Sequence, residues 1–249
     1  MAVPYSVTSA TERSRSWLGP VIVTGTDARV GKTVVTAAIA AAAMASGLRV
    51  AVVKPARTGA VNGAGSDVDT VRWLAWPATG RTLASYADNL GPRAAALVGH
   101  LEPLTLDAVL DIIRGYVVSH DLVLVEGSGG LLVPIGDCWT IADLAVAASA
   151  PTVVVTGSSD GAVNHAALTM EALERRGVPG CVVLGAWPAE PDLGQLSTFV
   201  DLAPYLAGVL PEGAASLEPG VFRRSAASWL SPILYGAVGD VRDWLAELR

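Results

Sequence analysis

The residues Gly25-Thr26-Asp27-Ala28-Arg29-Val30-Gly31-Lys32-Thr33 combine side chains and backbone suited to holding phosphate. A β-branched run at 20–25 precedes them, and an Ala-rich stretch at 32–46, closed by Gly47, follows. Strand, glycine loop and helix in that order make an anion cradle, because free N–H groups of the loop and helix start converge on one point. Thr26, Asp27, Ala28, Arg29, Val30 and Gly31 would wrap a nucleotide's phosphates, with Val34 opening the helix behind them. Lys32 would neutralise the β- and γ-phosphates, and the Thr33 hydroxyl would hold Mg²⁺. Gly25 stands one position farther from Gly31 than the common spacing allows. The loop is therefore a variant form, or Thr26 takes the first glycine's place.

A magnesium site on a nucleotide needs few carboxylates, with phosphates and water supplying the rest. Glu126 ends the apolar run DLVLVE and precedes Gly127-Ser128-Gly129-Gly130. A carboxylate at the C-terminal end of a buried parallel strand points into the ligand crevice. Asp67 and Asp69 lie together at a helix start, and spacing alone does not separate them; either also suits the positive end of the helix. Lys54 closes the strand-like run RVAVVK just before Pro55. There it is aimed at the crevice, where an ammonium steadies developing negative charge. The plainer reading is a surface lysine.

These residues need a scaffold that brings strand ends together. Strand-like runs fall at 20–25, 49–54, 121–126, 151–156, 181–186 and 206–210, with Pro55 expected to halt the second. Helical patterns fall at 32–46, 105–119, 141–148 and 163–176. Val241, Trp244, Leu245 and Leu248 give a last helix one apolar face. Continuous apolar strands alternating with helices indicate an α/β fold: a mainly parallel sheet with helices on both faces, of the P-loop NTPase type. We expect a single domain over 19–249, preceded by a disordered extension at 1–18.

Composition narrows the function classes. Hydrophobic residues form 51% and charged residues 16% of 249 residues, so a sizeable core is expected and general disorder is excluded. The net charge of −6 and the lack of a Lys/Arg cluster argue against nucleic acid as partner. The apolar stretch at 34–46 is too short to span a bilayer, so no membrane is expected. Two cysteines, Cys138 and Cys181, are too few for a disulfide framework, and a cytoplasmic setting follows. His100, His120 and His165 are widely separated and are assigned neither catalysis nor metal.

The combination of TGTDARVGKT (24–33), KPARTG (54–59), SD (66–67), EGSGGLLVP (126–134) and GAVNHAALT (161–169) resembles the dethiobiotin synthetase family, in the family's order. The resemblance implies that ATP, or another nucleoside triphosphate, is consumed with Mg²⁺ bound to Thr33, Asp67 and Glu126, which separates Asp67 from Asp69. It makes Lys32 and Lys54 the catalytic lysines attending carbamate and γ-phosphate. Thr58 would contact a diamine, 7,8-diaminopelargonic acid, that takes up CO2 or bicarbonate and closes to a cyclic urea. It implies a homodimer with active sites at the interface. Gly161, Ala162, Val163 and Asn164 would receive the substrate carboxylate from the neighbouring subunit; Asn164 also suits an ordinary helix cap. His165 would pack near that interface. No Cys, Ser or His nucleophile is apparent, which agrees with catalysis by positioning and charge neutralisation.

Some positions depart from the family pattern. Ala28 replaces a common Thr, and Arg29 either adds a phosphate contact or is exposed. Gly185-Ala186-Trp187-Pro188 lacks the Asn that reads adenine; Trp187 either stacks on the base or belongs to the core. Pro188, Pro211, Glu212 and Gly213 would close over the base. Two other readings are a related P-loop amidoligase, which would need more chain and a cysteine triad, and a partitioning or positioning ATPase switch. The latter usually carries a second early lysine in the loop, where this chain has Thr26-Asp27-Ala28.

Overall fold

The computed structural model describes residues 16–59, 65–77 and 79–240. The N-terminal residues 1–15, most of the loop at 59–65, and the last helical pattern at 241–249 lie outside the described residues.

Seven parallel strands form one sheet. In chain order they are β1 (Gly19–Gly25), β2 (Val50–Arg57), β3 (Thr79–Ser85), β4 (Leu122–Gly130), β7 (Thr152–Thr156), β8 (Gly180–Trp187) and β9 (Leu206–Pro211). Two short strands, β5 (Pro134–Gly136) and β6 (Trp139–Thr140), make a separate antiparallel hairpin. The sheet order is β3-β2-β4-β1-β7-β8-β9. After β1 the chain builds outward on one side and returns as β4; from β7 it builds outward on the other. The change of direction lies beside β1, which is where an α/β sheet opens a crevice for ligands.

Helices cover both faces. α1 (Lys32–Ala45), α2 (Asp67–Ala75) and α8 (Pro219–Ser225) lie on one face, over a core that includes Val21, Val23, Val52, Leu122 and Leu124. α4 (Leu106–Val117), α5 (Ile141–Ala147), α6 (Ala162–Glu174) and α7 (Leu193–Leu202) pack over the other, on Ile22, Val53, Val123, Val125 and Val154. A short α3 (Pro92–Val98) packs by the β5 hairpin. Residues 36–43 of α1 are all buried, because α2 and α8 pack on the side away from the sheet. Alanine suits that setting: it favours helix and lets neighbours approach closely on every side. α4 shows the more usual division, with Val109, Leu110 and Ile113 buried and Asp107, Asp111 and Arg114 outward.

The expected strands appear, with one change. β2 does not stop at Pro55 but continues to Arg57. The ladder to β4 has already ended at Val53↔Val125, and the ladder to β3 passes from Lys54↔Thr82 to Ala56↔Ala84. Neither ladder therefore asks for the N–H that proline lacks. Among the described residues no helix is long and apolar enough to cross a membrane.

Candidate active site

Parity along the strands determines which side chains meet. Lys54 follows Val50 and Val52 at steps of two, and Glu126 follows Leu122 and Leu124, so both face α1 and α2. The β2–β4 register, Val52↔Leu124 then Val53↔Val125, continues one step to set Lys54 beside Glu126. Lys54 is 4% exposed and Glu126 1%. The Lys54 ammonium spends its three N–H groups within the site. Nζ lies 2.8 Å from Glu126 Oε1, 2.9 Å from the Gly127 carbonyl and 2.8 Å from Asp67 Oδ2. Beyond the end of the β2–β4 ladder, this lysine and the Ser128 hydroxyl, which donates to the Ala56 carbonyl, tie the two strands together.

Thr33, the second residue of α1, donates from Oγ1 to Glu126 Oε1 at 2.8 Å. Asp67 and Glu126 therefore converge on one ammonium, and Thr33, from a third element, joins them through Glu126 Oε1. Glu126 Oε2 is buried and has no hydrogen-bond partner. Asp69 is committed elsewhere: Ser66 and Asp69 form a capping box, and Asp69 also pairs with Arg72. Of the two acids that spacing leaves equal, only Asp67 reaches Lys54.

Two buried lysines sit in this crevice with opposite tendencies. Burial, and then the like charge of Lys54, lowers the Lys32 pKa to about 8. Burial works against the Lys54 charge too, but Glu126 and Asp67 outweigh it and raise its pKa. Lys32 folds over its own loop and donates to the Asp27 carbonyl at 2.7 Å. The loop is closed locally by the Ala28 N–H on Asp27 Oδ1 at 2.6 Å, and Thr26 N–H donates to the Val155 carbonyl of β7. Ala28 and Arg29 are exposed, Arg29 at φ 59°; Val30 is half-buried.

Gly31 caps α1 at φ 97°, and a Cβ there would lie 3.0 Å from the Gly185 carbonyl. Gly185 is a site residue that sequence reasoning passed over. An added Cβ on it would lie 2.0 Å from the Val30 carbonyl oxygen, so β8 supports the phosphate loop by direct backbone contact. The sequence signal is the glycine that opens the Gly-Ala-Trp-Pro run at the end of β8.

Trp187 belongs to the core. It is 1% exposed and packs edge-on against Phe199 at 5.4 Å between ring centroids, so its ring does not face the crevice. Its carbonyl accepts from the Glu212 N–H at 2.7 Å, which joins the 187–188 and 211–213 segments at the ends of β8 and β9. Asn164 is the third residue of α6 and is exposed; the cap is Gly161 at φ 83°, without a side-chain bond. Ala162 is buried and Val163 half-buried. Thr58 is half-buried just after β2.

A glycine loop between a central parallel strand and a helix, carrying Lys32 and Thr33 and faced by a buried strand-end acid, defines a P-loop nucleoside-triphosphate-binding fold. An AAA-domain family model matches residues 20–216. The chain is 49% identical to the ATP-dependent dethiobiotin synthetase BioD of Saccharopolyspora erythraea over 86% of this chain and 96% of that one. To the protein of the same name from Streptomyces coelicolor it is 43% identical, over 86% and 93%. The chain belongs to the dethiobiotin synthetase family. In fold it is also similar to the MinC:MinD cell division protein complex of Aquifex aeolicus (TM-score 0.53, 14% identity, 92% of this chain and 96% of that one). A plasmid partition protein of Borrelia burgdorferi shares the fold as well (TM-score 0.52, 11% identity, 92% and 99%).

Proposed function

We propose that this chain is an ATP-dependent dethiobiotin synthetase acting on 7,8-diaminopelargonic acid. The convergence of Lys54, Asp67, Glu126 and Thr33 beside the phosphate loop carries this reading within a family whose relatives bear that name. One substrate amine adds to CO2 and loses a proton, giving a carbamate. A carbamate oxygen attacks the γ-phosphorus of ATP and ADP leaves. The second amine attacks the carbonyl carbon of this mixed anhydride and loses a proton as phosphate leaves and the ring closes. No covalent bond to the protein is needed, so the residues act by orientation and charge. Lys32 meets the β- and γ-phosphates in place of the Asp27 carbonyl, and Lys54 steadies the oxygens between which negative charge moves. The donor set suits Mg²⁺: a hydroxyl and two carboxylates, one with an unpartnered buried oxygen. Thr33, Asp67 and Glu126 would hold the ion, which would supply charge neutralisation at the phosphates.

The direct test is phosphate release. It should require diamine and CO2 together; release that persists without diamine supports a switch ATPase instead.

The base is expected to contribute little. Trp187 is buried, and the nearby Trp187 carbonyl and Glu212 amide satisfy each other. Competition among nucleoside triphosphates should show discrimination below about a hundredfold, roughly 2.7 kcal/mol; a stronger preference for ATP would reveal a base-reading group elsewhere.

We place the active site at a homodimer interface, with the N-terminal turn of α6 receiving the substrate carboxylate across it. Leu168, one turn beyond Asn164 on the same helix side, is 57% exposed, which supports an apolar contact there. Lys54→Ala should lower kcat more than it raises nucleotide KM, whereas Asn164→Ala should mainly weaken diamine binding. A heterodimer of the two would hold one intact and one doubly damaged site. Mixing the two variants at limiting diamine, under verified subunit exchange, should restore up to about half of the wild-type activity per heterodimer. No recovery would mean that the residues do not act across an interface.

A further inference from the structure

We propose that Lys54 is a tethered stand-in for the metal: its ammonium keeps Thr33, Asp67 and Glu126 assembled until magnesium and nucleotide arrive, and their arrival drives it out toward the phosphates. This rests on the magnesium reading above and adds an order of events to it.

The geometry favours one cation at a time. Lys54 Nζ lies 2.8 Å from both carboxylates that would bind the ion, and Glu126 Oε1 already accepts from Thr33 as well. A dication on Glu126 Oε2 and Asp67 would lie within a few ångströms of an ammonium on Oε1 of the same carboxylate, and like charges that close repel strongly in a buried site. Without Lys54 or a metal, Glu126 would be a carboxylate at 1% exposure with no cation in direct contact, only the more distant charge of Lys32, which is costly. Lys54 removes that cost and holds the site in register before loading. Its stem starts from β2, whose residues 50–53 are locked to β4, so only the side chain has to move. Once the ion takes the carboxylates, the ammonium needs a new anion, and the triphosphate brings one. Metal loading and delivery of Lys54 to the reacting oxygens thereby become a single exchange.

Binding of Mn²⁺, followed by its paramagnetic resonance without nucleotide, tests this. The wild-type dimer or monomer, as isolated, should bind Mn²⁺ weakly on its own and tightly with a non-hydrolysable nucleotide. Lys54→Met should bind Mn²⁺ alone at least tenfold more tightly than wild type, and Lys54→Arg should not. Adding Glu126→Gln to Lys54→Met should abolish the gain; a gain that survives it lies at another site and overturns the proposal. Equal Mn²⁺ affinity in wild type and Lys54→Met, with nucleotide-dependent binding intact, overturns it while leaving the magnesium reading standing. No Mn²⁺ binding even with nucleotide would sink both. If Lys54→Met does not fold, the wild-type protein still decides. The Lys54 ¹⁵N-ammonium resonance should be protected in the free protein and should shift on adding Mg²⁺ with the nucleotide analogue. A resonance unmoved at saturation overturns the proposal.

Discussion

Glu126→Gln is expected to lower diamine-dependent phosphate release about a thousandfold, the scale of losing a preorganised electrostatic group. The substitution keeps the shape of the side chain and removes its charge. Three neighbours respond together: Thr33 loses a carboxylate acceptor, Lys54 loses its strongest partner, and the magnesium centre we propose loses the oxygen Oε2. Lys54 retains Asp67 and the Gly127 carbonyl, so the fold should persist. Weakening one charged hydrogen bond in the core costs about 2 kcal/mol, or roughly 4–8 °C in Tm for a chain of this size. Turnover at saturating substrates and a thermal melt give both values. Near-wild-type turnover would remove Glu126 from the reaction centre.

Gly185→Ala is expected to weaken nucleotide binding about a hundredfold, since misplacing a binding loop by about an ångström costs on that order. The new methyl would lie 2.0 Å from the Val30 carbonyl oxygen and 2.9 Å from a Val155 methyl. The first of these is backbone, so no flexible side chain can give way; the phosphate loop or β8 must shift. Overpacking adds a stability loss of about 1–3 kcal/mol. Gly115→Ala is the matching control. It sits in α4 with nothing within 4 Å of an added Cβ, and should stabilise by about 0.5–1 kcal/mol. Titration with a fluorescent nucleotide, alongside melts of both variants, separates a positioning effect from a general one. Unchanged affinity in Gly185→Ala would show that the loop does not depend on that contact.

The parts of this fold that the sequence reveals are those where local pattern and tertiary role agree. Residues 21–23, 122–125 and 153–155 are fully buried and read as unbroken apolar runs. The phosphate loop is legible because its chemistry needs neighbours in sequence. β3 was not legible: Thr79–Ser85 is an edge strand with only partial burial, held by its ladder to β2 more than by its own residues. α7 was also missed, because Leu193 and Val200 face outward and blur its period. Pro55 misled in the other direction, since a proline reads as a stop unless both ladders are known to leave its nitrogen free. In the site, Lys54, Asp67 and Glu126 could be nominated singly. Their meeting depends on register between strands about seventy residues apart in sequence, which no local pattern encodes. Gly185 escaped for the same reason: its importance lies in what a methyl group would strike.

The sheet order also has a consequence during synthesis. β1 carries the phosphate loop, yet its partners come late: Gly19 pairs with Leu122, and Ile22 with Thr152. On a ribosome, the strand that the nucleotide site depends on must wait unpaired until β4 and then β7 have emerged. At 5–20 residues per second that wait is on the order of 10 s. Until β4 emerges, the apolar run from Val21 to Val23 has no ladder on either side, and until β7 emerges it has only one, so the nascent chain is most open to mispairing over that interval.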